Sequence, residues 1–199
     1  GQVQFDMYHV YTVDEHTIRA ISILSKIEQG KLRYELPLVT KVMTNVISRQ
    51  VLYLSLFCHD LAKGTTGNHS ETGAVIAENL GLRLGFSDEQ CEQTAWLVRN
   101  HLIFSKAAFK RDINDPQTLT DFVAKVTSLE RLKLLFIFTV TDIKAVGPER
   151  WNGWKNTLLT KLYHRTEEIL SHGHQVHDMN ERVTLSKTLL RKNLKNWTK

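Results

Sequence analysis

Helix-start chemistry recurs along this chain and constrains its fold more than any other feature. Thr12-Val13-Asp14-Glu15 and Ser87-Asp88-Glu89-Gln90 carry the spacing in which a hydroxyl caps a helix and an acid or amide three residues on reaches back. Asp115-Pro116 sets a capping carboxylate before a proline whose missing N–H costs nothing at the first helical position. Ser128 stands before a long apolar run. Ile18, Ile21 and Leu24 recur at helical spacing, and no segment alternates convincingly as a half-buried strand would. The expected fold class is all-α, a helical bundle.

The expected helices run from the Thr12 cap to a stop at Gly30, from about Leu38 to Ser48 after Pro37, and from about Arg49 to Leu61. Further helices are expected from about Ser70 to Leu80, with Gly81 and Gly85 marking the break, and from Ser87 through about Ile103. Asp115 opens the next, Ser128 opens one reaching about Ala145, and Gly147-Pro148 stops it. Glu149 to Leu170 completes a body of residues 1–171, followed by a polar, basic linker or helix over 172–199. Trp151 and Trp154, three apart on a helix, are expected in the core, as are Cys58 and Cys91.

Charge narrows the class of partner. Of the formal +5, the tail from Glu181 to Lys199 supplies six basic residues and one acid, which leaves the body neutral. A nucleic-acid domain carries its basic excess on a folded face, so nucleic acid is not an expected partner. The longest strongly apolar stretch, Leu134 to Val140, is too short to span a bilayer, and no signal peptide is visible. Two cysteines without CxxC spacing fit a reducing compartment, so a cytoplasmic location is expected. The chain opens Gly-Gln-Val-Gln without an initiator methionine and ends in an unfinished helical pattern; the expectation is a domain from a larger enzyme.

Candidate chemistry centres on His59-Asp60. An apolar run, Leu54 to Cys58, ends abruptly in an imidazole and a carboxylate. Both lose solvation at the edge of a core, and a divalent cation satisfies both at once. Four scattered residues are candidate companions: His16 one turn into the first helix, His69 opening the helix after a glycine loop, His101 ending the next, and Asp142. Each alone reads first as a cap, a solvated residue or half of an ion pair. Together they suit a bundle, where ligands project inward from different helices. Asp142 is the strongest, because an unpaired carboxylate beside Phe136, Ile137, Phe138 and Val140 would be costly. Imidazole with carboxylate suits Mn, Fe, Zn or Ni. The His-rich run His172 to His177 reads as a solvated linker.

The order His16, His59-Asp60, Asp142 resembles the HD phosphohydrolase superfamily. Longer strings sharpen the likeness: Tyr8 to His16, His59-Asp60-Leu61-Ala62-Lys63-Gly64, Asn68-His69-Ser70-Glu71-Thr72-Gly73, Thr141 to Pro148, and Trp151-Asn152-Gly153-Trp154-Lys155. They are similar to the branch that forms the HD domain of bifunctional uridylyltransferase/uridylyl-removing enzymes, which act on the PII nitrogen-signalling protein. The resemblance spans about Phe5 to Leu170. It implies an HD-domain bundle with a metal site between helices, and hydrolysis of the phosphodiester joining UMP to a tyrosine of PII. It implies His16, His59, Asp60 and Asp142 as ligands of one cation, Mn or Mg, with His69 and His101 candidates for a second. Asp60 and Lys63 are then the catalytic candidates, with Lys63 stabilising the phosphoryl transition state or protonating a leaving group. Lys144 and Arg150 are candidate contacts to phosphate or partner. No Gly-Ser with Asp-x-Asp pattern for nucleotidyl transfer and no βαβ sensor pattern is visible, so those parts of the parent enzyme are expected elsewhere. Competing readings are an HD phosphohydrolase acting on a free or signalling nucleotide, a metal-stabilised regulatory module without turnover, and a plain helical interaction domain.

Overall fold

The computed structural model describes residues 12–63, 68–147 and 149–172. Among these residues the chain is helical throughout, with no strand. The helices are α1 (Val13–Glu28), α2 (Pro37–Met43), α3 (Arg49–Cys58), α4 (His69–Arg83), α5 (Asp88–Asn100), α6 (Ile103–Lys110), α7 (Pro116–Val126) and α8 (Leu129–Val146). A further helix, α9, occupies 153–172. No helix among the described residues is long and apolar enough to cross a membrane.

The caps act as their residue types dictate. Thr12 accepts from Glu15 N, Asn68 from Ser70 N, Asp115 from Gln117 N and Thr118 N, and Ser128 from Arg131 N. At α5 both halves of the capping box form, Ser87 with the Gln90 backbone and the Gln90 side chain with Ser87 N.

α8 is the axis. Leu132, Leu134 to Thr141 and Ala145 are all buried, so the helix is apolar nearly all round and takes α1, α2, α3, α5, α6 and α7 against it. Asp142, near its C-terminal end, is half-buried and follows directly on the buried run Leu134 to Thr141. α4 lies outside the main core and packs chiefly on α5, over a smaller cluster of Leu54, Cys58, Ala74, Ala77, Ala95 and Val98. The buried positions of α4 are all small: Gly73, Ala74, Ala77 and Gly81.

Several boundaries differ from the sequence expectation, each for a local reason. α2 stops at Met43 rather than about Ser48: the Thr44 hydroxyl and the Asn45 amide donate to the Lys41 carbonyl, and Ile47 N turns to Glu130 Oε1. α3 ends at Cys58, and the chain continues in tighter turns, Leu61 N to Cys58 O and Lys63 N to Asp60 O. Gly81 does not break α4 but sits inside it, where a Cβ would stand 3.0 Å from Cys91 Sγ. The break comes at Gly85, whose φ of +80° is the left-handed conformation that suits glycine. α5 ends at Asn100 and a separate helix, α6, follows, missed from sequence although Phe104, Ala107 and Ala108 trace one buried face. α9 begins at 153, not at Glu149. Trp154 is not a core residue: it is 60% exposed on the first turn of α9 and stacks on Phe109 at 5.7 Å, while Trp151 is half-buried. Cys58 and Cys91 are buried, unpaired thiols.

Candidate metal centre

Four elements meet where the core opens. α1 contributes His16, the turn after α3 contributes His59 and Asp60, α8 contributes Asp142, and the end of α5 contributes His101. Ligand atoms of His16, His59 and Asp60 lie within 4.8 Å of one another, and all three residues are buried. Asp142 Oδ1 lies 2.8 Å from His16 Nε2 and 3.5 Å from His59 Nε2, and Asp60 Oδ2 lies 3.3 Å from His59 Nε2. The four residues that the sequence suggested for one site are therefore adjacent. Lys63 joins them, donating from Nζ to Asp60 Oδ2 at 2.8 Å.

His59 and His101 share a local device. Each is the C-cap of its helix, α3 and α5, and each turns Nδ1 back onto a carbonyl three residues earlier. His59 Nδ1 donates to Leu56 O at 2.7 Å and His101 Nδ1 to Val98 O at 2.6 Å. Helix ends leave carbonyls without intrahelical partners, and here those carbonyls fix the imidazole tautomer and aim Nε2 at the site. The sequence gives no sign of this orienting role, because a carbonyl belongs to every residue.

The imidazoles form a row. Ring centroids are 5.4 Å apart for His16 and His59, 5.5 Å for His59 and His101, and 6.4 Å for His101 and His69. Phe138, one turn before Asp142 on α8, lies edge-on to His59 at 5.4 Å and tilted against His101 at 6.0 Å. It closes the site from the core side. In sequence Phe138 stands as an apolar neighbour of Asp142, and the i, i+4 spacing that puts both on one face is its only signal.

The electrostatics follow from burial among opposite charges. Burial alone would lower the His59 pKa, but Asp60 and Asp142 outweigh it and push it up to about 10. Burial alone would raise Asp60, yet His59 and Lys63 hold it well below the usual carboxylate range. Against the cost of its burial, Asp142 is held low in the same way, by the hydrogen bond from His16 and the charge of the neighbouring His59. His101 is lowered, first by burial and then by the charge on His59, so its Nε2 keeps a lone pair.

These residues fit a divalent cation. His59 Nε2 is fully buried and has no hydrogen-bond partner among the described residues, although two carboxylates flank it. A buried polar atom left so is costly, and a cation among these nitrogens and oxygens would satisfy it. His69 stands half-buried as the first residue of α4, beside His101. Lys144 is ion-paired with Glu35, and Arg150 is exposed in the turn after Gly147. Lys144 borders a groove of about 580 Å³ between α1 and α8, together with Glu15, Ile18, Arg19, Lys26 and Gly147. Gly64 to Gly67, and the His-rich run beyond His172, lie outside the described residues.

Comparison with known proteins agrees with this geometry. The family model for the HD domain matches residues 13–141. The chain is 53% identical over 194 residues to the bifunctional uridylyltransferase/uridylyl-removing enzyme of Azospirillum brasilense, covering 98% of this chain and 21% of that protein. It is 49% identical over 197 residues to the enzyme of the same name from Rhodospirillum rubrum, covering 99% and 21%. The likeness to that of Gluconobacter oxydans is 42% over 194 residues, covering 98% and 20%. The chain thus spans about a fifth of the length of these relatives.

Proposed function

The chain belongs to the HD domain family, and from that premise we propose that it is a metal-dependent phosphodiester hydrolase that removes UMP from uridylylated PII protein. The observation that carries this reading is the convergence of His16, His59 and Asp60 on one buried point, with the half-buried Asp142 reaching His16 at 2.8 Å from a third part of the chain. The substrate rests on the relatives, whose name includes uridylyl removal, and on the strings around the ligands that resemble them.

His16, His59, Asp60 and Asp142 would hold the first cation, Mn by preference, and His69 and His101 a second. The cation supplies Lewis acidity toward a phosphate oxygen and makes water acidic enough to attack at neutral pH. The protein does the rest. Leu56 O and Val98 O keep His59 and His101 in the tautomer that offers Nε2. Phe138 excludes water from the core side of the imidazoles. Lys63 orients Asp60 and brings a positive charge to the site's edge, where it stabilises the developing charge on the phosphoryl group or hands a proton to the departing tyrosyl oxygen. Lys144, at the groove between α1 and α8, would exchange Glu35 for phosphate, and Arg150, exposed in the turn after Gly147, would contact phosphate or partner. The buried thiols Cys58 and Cys91 suit a cytoplasmic setting. Residues 1–171 would form this hydrolase domain, with nucleotidyl transfer and sensing left to other parts of a parent chain.

The direct test is incubation with uridylylated PII and Mn, with free UMP as the readout. UMP release that stops on chelation is the expected result. Hydrolysis of bis-p-nitrophenyl phosphate without UMP release would refute the PII assignment alone, and failure on both substrates would refute the hydrolase.

A further inference from the structure

Glycine weakens a helix interior relative to alanine, so Gly73, in the second turn of α4, calls for a reason. The reason is space. A Cβ at this position would stand 3.2 Å from Val98 Cγ1, 3.4 Å from the Cys58 carbonyl oxygen and 3.7 Å from that of His59. The first approach is tight enough that Val98 must give by a few tenths of an ångström, and the next two are ordinary contacts that already press the added carbon onto backbone. These three neighbours belong to the centre. Cys58 and His59 are the turn that presents the His59-Asp60 pair, and Val98 is the residue whose carbonyl holds His101 Nδ1. His69 lies one turn before Gly73 on the same face of α4, with its ring 6.4 Å from that of His101.

Resting on the hydrolytic reading above, we propose that Gly73 is a positioning residue of the metal centre. Its missing side chain seats α4 against the His59 turn and so sets His69 beside His101. A side chain at this position lifts the first turns of α4 away. His69 then withdraws, while His16, His59, Asp60 and Asp142, which sit on α1, the α3 turn and α8, keep their places.

Gly81 supplies the control. It lies two turns further along α4, and its Cβ would be more crowded still, 3.0 Å from Cys91 Sγ, but its neighbours Cys91, Leu54 and Phe86 carry no ligand. Gly81→Ala therefore repeats the packing insult and the gain in helix propensity away from the imidazoles.

The experiment measures Mn affinity by calorimetry and kcat/KM on bis-p-nitrophenyl phosphate for Gly73→Ala, Gly81→Ala, His69→Ala and the Gly73→Ala/His69→Ala double variant. Gly73→Ala should lose about tenfold in affinity or kcat/KM, the low end of what losing an outer-shell partner costs. The double variant should be no worse than His69→Ala, because both act through one imidazole. Gly81→Ala should match the wild type. Adding Val98→Ala to Gly73→Ala clears the nearest obstruction and should restore much of the loss; that pair carries the test if Gly73→Ala alone does not fold. Additive losses in the double variant, an equal loss in Gly81→Ala, or a Gly73→Ala chain that behaves as wild type would overturn the proposal. A wild-type chain that binds no Mn and cleaves no diester would instead overturn the hydrolytic reading on which it rests.

Discussion

His16 Nε2 and Asp142 Oδ1 stand 2.8 Å apart across 126 residues of sequence. The bond ties α1 to the end of α8, so the site is closed by the same packing that closes the bundle. On the proposed reading, binding and folding would be coupled through that contact, because a cation held here would stabilise only the folded chain.

Removal of a carboxylate should therefore uncouple the two. Asp60→Ala should lose metal and activity together, and Asp142→Asn, which keeps the shape and removes the charge, should lose at least the roughly 10–100-fold in metal affinity that an outer-shell loss costs. Elemental analysis after gel filtration, with a melting curve to show that the chain is folded, reads both. An intact Asp60→Ala chain that retains its metal would contradict the assignment.

Without metal, the centre should make stability depend on pH in a defined direction. His59 is raised from its ordinary value of 6.5 to about 10, so its contribution is fully present below 6.5 and is lost as pH rises through 10. Asp60 and Asp142 are depressed, so theirs is present above the ordinary 3.8 and is lost as pH falls below it. The metal-free chain should be most stable between those values, and His59→Gln should flatten the alkaline limb. Mn binding needs a neutral His59, so affinity should climb from neutral pH toward 10 with release of a proton. Denaturant midpoints across pH, and calorimetry in buffers of differing ionisation enthalpy, check both. Superimposable alkaline limbs for wild type and His59→Gln would sink the account.

Phe138 offers a separation of stability from binding. It is fully buried and touches both His59 and His101. Phe138→Ala should cost about 3–5 kcal/mol of stability, as large-to-small aromatic changes in cores do. Phe138→Leu keeps most of the volume and should cost far less, yet still loosen the imidazoles and weaken metal binding. Equal metal affinity in Phe138→Leu and wild type would leave Phe138 a packing residue only.

Much of this was legible in the sequence, for physical reasons that differ by element. The caps at Thr12, Ser87, Asp115 and Ser128 are local chemistry, and each formed where the residues placed it. The His59-Asp60 pair was legible because an apolar run ending in two ligands is unusual. α6 was not, because the helical expectation for α5 ran through the turn at His101 and Leu102 into Ile103. Gly81 misled because a glycine that ends a helix and a glycine that admits a neighbouring helix look alike until the neighbour is known. The orienting carbonyls of Leu56 and Val98, and the exposure of Trp154, depend on which surfaces meet, and no single segment encodes that.

The role of Lys63 can be resolved by the leaving group. Nζ donates to Asp60 Oδ2 at 2.8 Å, so the lysine reaches the proposed ligands through Asp60. Lys63→Met should leave metal content unchanged and lower kcat by about 100-fold or more, the range of general acid catalysis. If the ammonium hands its proton to the departing oxygen, the loss should be large for a tyrosyl ester and small for p-nitrophenolate, which leaves readily without one. If it acts only by its charge on the phosphoryl group, both substrates should fall together. Steady-state kinetics on uridylylated PII and on bis-p-nitrophenyl phosphate, at saturating Mn, distinguish the two. Unchanged kcat on both would remove Lys63 from the mechanism and leave it a structural partner of Asp60.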